Sequence, residues 1–362
     1  MTALRRWLLV VAAILAVVCA PAVSRALPVD DSGVSATRLL ALAQGSQQVP
    51  YAGYVETVGA FTLPTTDQFN GVANLLGQSS ELRVWWRSAT DWRVDRLATT
   101  GEIDLFHADE ATTSWNYEGA RATRTSDALA LLPRAVDLLP PTLTRRVLAA
   151  AQPEEVSRLP AARVAGHSAP GIRLTPALAQ ASIDHVDIWV EPRTGLPLRL
   201  EVWAEEAASP AFTSQFADVS LTAPDADVTV FEAPPGITVS SGGLGGDSLL
   251  AHIVAAYRGT SLAGLPQSGG AGFAPRYGRG VTQLMVLAVD DEVADPLRDQ
   301  LARTPGSQID DDGTLLGTGP LTMLLSPCLG DRPSWLLLGT VDARTLHRAA
   351  QQIYGASLDE AT

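Results

Sequence analysis

Between Glu81 and Ala98 the chain alternates by side-chain type with period two. Leu82, Val84 and Trp86 fall on one side of an extended strand, and Arg83, Trp85 and Arg87 on the other. Past Ser88-Ala89-Thr90-Asp91, the residues Trp92, Val94 and Arg96 repeat the pattern. Successive strand residues point to opposite faces, so this reads as a hairpin with one apolar face. Such a face is stable only when further strands extend it and another layer covers it. The chain must therefore build an antiparallel sheet and supply its own cover.

The same reading extends both ways. A first helix is expected behind a Ser32 or Ser35 cap, with Leu39, Leu40, Leu42 and Ala43 on its apolar face. Strands are expected over Tyr51–Gly59, Glu102–His107 and Thr112–Tyr117, the last two turning at Asp109-Glu110. At Leu131 the period changes. Ala135, Leu138 and Leu139, then Leu143, Val147 and Leu148, recur at helical spacing, in two pieces divided by Pro140-Pro141. Strands return at Arg158–Val164, Gly171–Thr175 and Phe212–Leu221. Between them Ile183–Glu191 and Leu196–Ala204 form a hairpin turning at Pro192-Arg193-Thr194-Gly195. The run Val228–Val239, broken by Pro234-Pro235, closes this part. Residues 33–240 thus read as a mostly antiparallel sheet, with segment 131–151 as its cover and room between them for an apolar cavity.

A chain of 362 residues exceeds the roughly 250–300 at which one core stops growing. A Gly/Ser linker at 241–247 marks the boundary. Beyond it, residues 248–356 read as a smaller α+β domain. Its expected order is a helix Ser248–Tyr257, a Gly-rich loop over 264–273, a strand Thr282–Val289 and a helix Asp295–Ala302. Strands at Gly313–Leu316, Leu321–Leu325 and Trp335–Val341 follow, then a helix Thr345–Tyr354.

The first 26 residues carry Arg5-Arg6, an uncharged run from Trp7 to Val23, and small-residue cleavage patterns at Ala20-Pro21-Ala22 and Ser24-Arg25-Ala26. They read as a secretory signal peptide or, if uncleaved, as an N-terminal anchor. The protein is then exported to the extracytoplasmic side of the envelope. Without the leader only Cys328 remains, so no disulfide closes within the mature chain. All 26 basic residues are Arg against 39 acidic residues, for a net charge of −13, and no basic tract could follow a row of phosphates. Nucleic acid is excluded as a partner.

Several of these segments look familiar together: a helix, a meander rich in Arg and Trp, a helical excursion, and the hairpin Trp189-Val190-Glu191-Pro192-Arg193-Thr194-Gly195-Leu196-Pro197-Leu198-Arg199. They close on Phe231-Glu232-Ala233-Pro234-Pro235-Gly236. The chain resembles the LolA-like fold and, within it, the MucB/RseB type of sigma-E regulatory protein, over about residues 34–355. Gly264-Leu265-Pro266 before Gly272-Phe273, and Gly339-Thr340-Val341 before a helix, extend the likeness to the second domain. The resemblance implies an α+β protein: a half-barrel antiparallel sheet wrapped around helices, plus a smaller C-terminal domain. It also implies an apolar cavity for an acyl chain or lipidated peptide, and a membrane-embedded anti-sigma factor as partner.

Val84, Trp86, Trp92, Val94, Phe106 and Trp115, with Leu138 and Leu139 from the cover, are the candidate lining of that cavity. Ordinary sheet packing is the competing reading of the same residues. Other motifs have structural readings. Gly246-Asp247-Ser248-Leu249 spells an esterase nucleophile block, but it follows a linker and lacks a correctly spaced Asp and His, so helix capping explains it and a Ser248 hydrolase is the weaker alternative. Asp310-Asp311-Asp312-Gly313 lacks the calcium-loop alternation and reads as a turn. The five His show no metal-ligand spacing. Arg83, Arg87, Arg93 and Arg96 read as a solvated ladder paired with Asp91 and Asp95. No cofactor motif is present. The chain is read as a non-enzymatic envelope protein that binds a hydrophobic ligand and regulates a membrane partner; a LolA-type lipoprotein carrier is the alternative.

Overall fold

The computed structural model describes residues 29, 31–66, 69–98, 101–127, 132–241, 249, 251–271, 274–327 and 332–359. The leader, Cys19, Cys328, Ser248 and linker residues 242–247 lie outside them. Among the described residues no helix is long and apolar enough to cross a membrane.

Helix α1 (Ala36–Gly45) starts at Ser35, whose hydroxyl accepts from the Arg38 N–H at 3.3 Å. Then come β1 (Tyr51–Gly59), α2 (Asn70–Gly77), β2 (Ser79–Ser88), β3 (Asp91–Ala98), β4 (Gly101–Ala108), β5 (Ala111–Asn116) and β6 (Arg121–Ser126). After α3 (Pro140–Leu148) run β7 (Val156–Val164), β8 (His167–Leu174), β9 (Ile183–Val190), β10 (Pro197–Ala204), β11 (Phe212–Ser220) and β12 (Val239–Ser241). All twelve strands form one open sheet in the order β12-β6-β5-β4-β3-β2-β1-β11-β10-β9-β8-β7. It consists of two antiparallel meanders joined where β1 pairs with β11, with β12 added parallel to β6.

One face of this sheet is covered as the alternation requires. Leu39, Leu40 and Ala43 of α1 and Val147 and Leu148 of α3 pack on Ile172, Ile188, Val190 and Leu200. Leu138 and Leu139 cover the β1–β3 side. The cover differs from expectation at its middle. Pro140-Pro141 does not divide two helices: it opens α3, where a missing N–H costs nothing, and residues 135–138 form a single 3-10 turn. Two elements were not foreseen, α2 and the polar strand β6. The run 228–239 is not a strand: it begins in a 3-10 turn at Ala226–Thr229 and reaches β12 only at its last residue, Val239.

The hairpin turn at 192–195 follows from two residues. The buried Glu191 carboxylate accepts from the Thr194 N–H and hydroxyl, each at 2.7 Å, and from the Arg193 N–H at 3.0 Å. Gly195 holds a φ of +74°, and a Cβ there would stand 2.4 Å from the Leu42 carbonyl oxygen of α1. Only glycine meets both demands.

A second sheet follows: β13 (Ile253–Ala255), β14 (Ser261–Leu262), β15 (Leu265–Ala271), β16 (Ala274–Arg279) and β17 (Thr282–Val289), then α4 (Asp291–Arg303). It ends with β18 (Gln308–Asp310), β19 (Gly313–Thr318), β20 (Leu321–Leu325), β21 (Ser334–Gly339) and α5 (Ala343–Asp359). Val286 faces Leu346 and Ile353 of α5, whereas Leu287 faces Val293 and Leu297 of α4, so the two helices cover opposite faces. Two expectations are corrected here. The helix expected through Tyr257 gives way to β13, which pairs with β17. The Gly-rich loop is the β15–β16 hairpin.

Polar contacts tie the sheets together. Arg279 of β16 forms a two-point ion pair with Glu155, at 2.6 and 3.0 Å, and donates to the Ala150 carbonyl at 2.8 Å. The Thr62 N–H donates to the Thr318 hydroxyl at 2.7 Å, and the Asp342 N–H to the Gln180 carbonyl at 2.8 Å.

Candidate functional site

Strand register builds the site. Tyr51, Trp86, Trp92 and His107 stand directly opposite one another across β1, β2, β3 and β4. Their rings stack in a row, with centroids 5.8, 6.1 and 4.9 Å apart and planes within 10° of parallel. Phe216 of β11 meets Tyr51 edge-on at 5.5 Å. Such pairs contribute about 0.5–1.5 kcal/mol each beyond their burial. Leu138 and Leu139 belong to the cluster that buries the row, and the Ser214 hydroxyl holds the turn by donating to the Leu138 carbonyl at 2.5 Å. Asp137 anchors it too, accepting from the Arg134 N–H at 2.8 Å and from Arg146 at 2.7 Å.

The ends of the row differ. At one end His107 is buried, with Nδ1 3.3 Å from the Thr112 hydroxyl and Arg134 bridging Thr112 and Asp127 at 2.9 and 3.1 Å. Burial holds the His107 pKa below its ordinary value, opposed by Asp127, so the stacked ring is neutral near pH 7. At the other end a cleft of about 10 Å³, near the room one water needs, lies among Ser46, Gln47, Tyr51, Trp86, Pro141, Thr142 and Arg145. Burial pushes the Tyr51 pKa up, so its hydroxyl keeps its proton.

Six of the eight candidate lining residues come together here: Val84, Trp86, Trp92, Val94, Leu138 and Leu139 share one packed cluster. Phe106 and Trp115 do not. The β3–β4 register sets Trp92 opposite His107 and Arg93 opposite Phe106, so even-numbered positions exchange faces at this hairpin. Phe106 and Trp115 lie on the outer face, against Phe231 and Ile237. No sequence signal points to Tyr51, His107 or Phe216: the register places the first two, and Phe216 joins through its ring contact with Tyr51.

The outer face holds the Arg ladder. Arg87 pairs with Asp91 at 2.7 Å, and Arg83 and Arg93 both pair with Asp95, as expected. The ladder is not simply solvated, because Asp95 and Asp104 are both 0% exposed. Arg93 bridges them, at 2.7 and 2.9 Å, beneath the rings of Trp85 and Phe106. Burial first, and the Asp95 charge second, push the Asp104 pKa up to about 7. Arg96 lies on the covered face with Trp92 and Val94.

The Asp310–Gly313 segment is the β18–β19 turn, with the Asp312 N–H donating to Asp310 at 2.9 Å. His347 of α5 joins it, its Nδ1 3.0 Å from Asp312. Together Asp310, Asp312 and His347 bring three ligand-type atoms within 4.8 Å, a grouping that spacing along the chain could not reveal.

Comparison with solved structures adds the fold's relatives. A crystal structure of MucB in complex with MucA(peri) aligns over 87% of this chain and 97% of that one, with a TM-score of 0.50 and 17% identity. The chain has the MucB fold. A second MucB-fold structure, the Pseudomonas aeruginosa MucA/MucB complex, aligns over 85% and 94% at a TM-score of 0.48 and 17% identity. A LolA superfamily protein from Nitrosomonas europaea covers 55% of this chain and 99% of its own, at a TM-score of 0.25 and 10% identity. No protein-family model matches the sequence, and no curated protein matches it.

Proposed function

We propose that this chain is an exported, non-enzymatic envelope protein that binds a hydrophobic ligand, an acyl chain or lipidated peptide, on the covered face of its first sheet. The observation that carries the reading is the aromatic row from Tyr51 to His107 beneath Leu138 and Leu139. Lifting the turn residues 135–139, with α3 left in place, would expose a continuous apolar strip. A ligand that replaced them would recover about 25 cal/mol per Å² of apolar surface covered. Residues 248–356 form a second domain in this reading and convey occupancy to a membrane protein such as an anti-sigma factor. Regulation of that kind requires the partner to bind the loaded and empty forms with different affinity. The MucB fold, seen in complex with MucA, supports a partner of this type. The Arg279–Glu155 and Asp342–Gln180 contacts favour this reading over a simple carrier, because they give movement in the first sheet a route to the second.

Native mass spectrometry of detergent-free protein, with an organic extract of the same sample, tests the proposal. The expected result is a lipid-sized adduct that extraction removes. A clean unliganded mass that also rejects added fatty-acyl probes would overturn it.

A further inference from the structure

The cleft at the Tyr51 end of the row gathers polar groups with nothing to bind. The Tyr51 hydroxyl makes no hydrogen bond, although the residue is 1% exposed, and neither does the Thr142 hydroxyl at 3%. Hydroxyls buried this way are rare, and each costs stability until a partner is found. Arg145 lines the same cleft, half-buried, and among the described residues it forms no hydrogen bond or ion pair. Its neighbour Arg146 has Asp137, so the two adjacent cations are not matched alike. Burial and the Arg146 charge both disfavour the Arg145 cation, which an anion beside it would relieve. The cleft also sits at the first turn of α3, the positive end of that helix. Two hydroxyl donors, one unmatched guanidinium and Trp86 therefore meet at one place.

We propose that this cleft receives the carboxylate of a fatty acid, with Tyr51 and Thr142 donating hydrogen bonds, Arg145 supplying the charge, and the chain lying along Trp86 and Trp92. The assignment rests on the acyl-binding reading above and names its ligand class. Space near one water admits one oxygen of a planar carboxylate, with the other turned to the Arg145 fork. A tetrahedral phosphate or a sugar head would need a larger opening.

The test compares three sixteen-carbon probes on the full chain, by tryptophan fluorescence: palmitate, hexadecanol and hexadecyl phosphate. Palmitate should bind at least about tenfold more tightly than hexadecanol, the margin of one charge-assisted contact. Tyr51→Phe, which keeps the ring stack, and Arg145→Gln should each bring that ratio close to one. Arg303→Gln, on exposed α4 surface, should keep it. Tyr51→Phe should also raise the unfolding midpoint of ligand-free protein by about 2 °C, because it deletes an unsatisfied buried hydroxyl. A ratio near one in the unmodified protein, or one unchanged in both variants, would overturn the head-group assignment while leaving acyl binding intact. Tighter binding of hexadecyl phosphate than palmitate would also overturn it. Binding of none of the three would sink the acyl reading and this assignment with it.

Discussion

Replacing Asp104 with Asn should remove a pH dependence from the first sheet. Asp95 and Asp104 are wholly buried opposite each other; Arg93 serves both, and Arg83 is shared between Asp95 and Glu102, so three carboxylates face two guanidinium groups. One spare negative charge is left, and a proton held by the pair neutralises it. Asp104 titrates near 7 in the folded chain and near 3.9 in an unfolded one. The folded state thus holds this proton more tightly. Its contribution to stability is complete below about pH 4 and is lost as the pH rises to about 7. About three pH units at 1.36 kcal/mol each make the difference roughly 4 kcal/mol. Asn keeps the shape and donates as the protonated acid does, but it cannot ionise. The assay is urea unfolding at pH 4, 5.5, 7 and 8 followed by tryptophan fluorescence, since Trp85, Trp86, Trp92, Trp115, Trp189 and Trp203 all lie in first-sheet strands. The Asp104→Asn variant should overtake the unmodified protein as the pH rises, with a gap approaching 4 kcal/mol at pH 8. A gap that stays flat across the series would refute the shared-proton account.

Gly195→Ala should destabilise by at least about 2 kcal/mol, since it combines a left-handed backbone with a clash against α1, and a thermal midpoint within a degree of the parent would count against that geometry. Arg279→Gln should cost only about 1 kcal/mol, because the pair with Glu155 is partly exposed. Its larger effect should be to separate the unfolding of the two sheets in calorimetry; a single unchanged transition would show that the pair does not couple them.

Much of the fold could be read from side-chain period alone. Strands β1, β3, β17 and β20 fall where alternation or an unbroken apolar run put them, and the Ser35 cap and the 192–195 turn announced themselves by residue type. The failures share one cause: information held by partners distant in sequence. Arg121–Ser126 has Ala122 as its one apolar residue and becomes a strand by pairing with β5 and β12. Ile253–Ala255 is too short an apolar run to distinguish helix from strand, and β17 decides it. Gln267–Ala271 looks like a loop by composition and is held extended by β16. The candidate site suffered in the same way. Alternation within each strand puts Phe106 with Trp92, while the hairpin between them reverses parity. Tyr51 meets Trp86 across a register that no local pattern encodes.

The junction of the two meanders has a consequence for how the chain reaches its native state. Every other antiparallel contact in the first sheet joins strands that follow one another in sequence, whereas Gly59 pairs with Phe212, roughly 150 positions away. Relative to a turn of a few residues, closing that loop is about five doublings longer, or roughly 3 kcal/mol of additional chain entropy. Each meander can zip up from its own turns, but joining them must bear that loss in a single step. The entropic barrier to assembling the antiparallel part of this sheet therefore lies at its middle, between β1 and β11, and the edge strand β12 meets a comparable loss when it returns to β6.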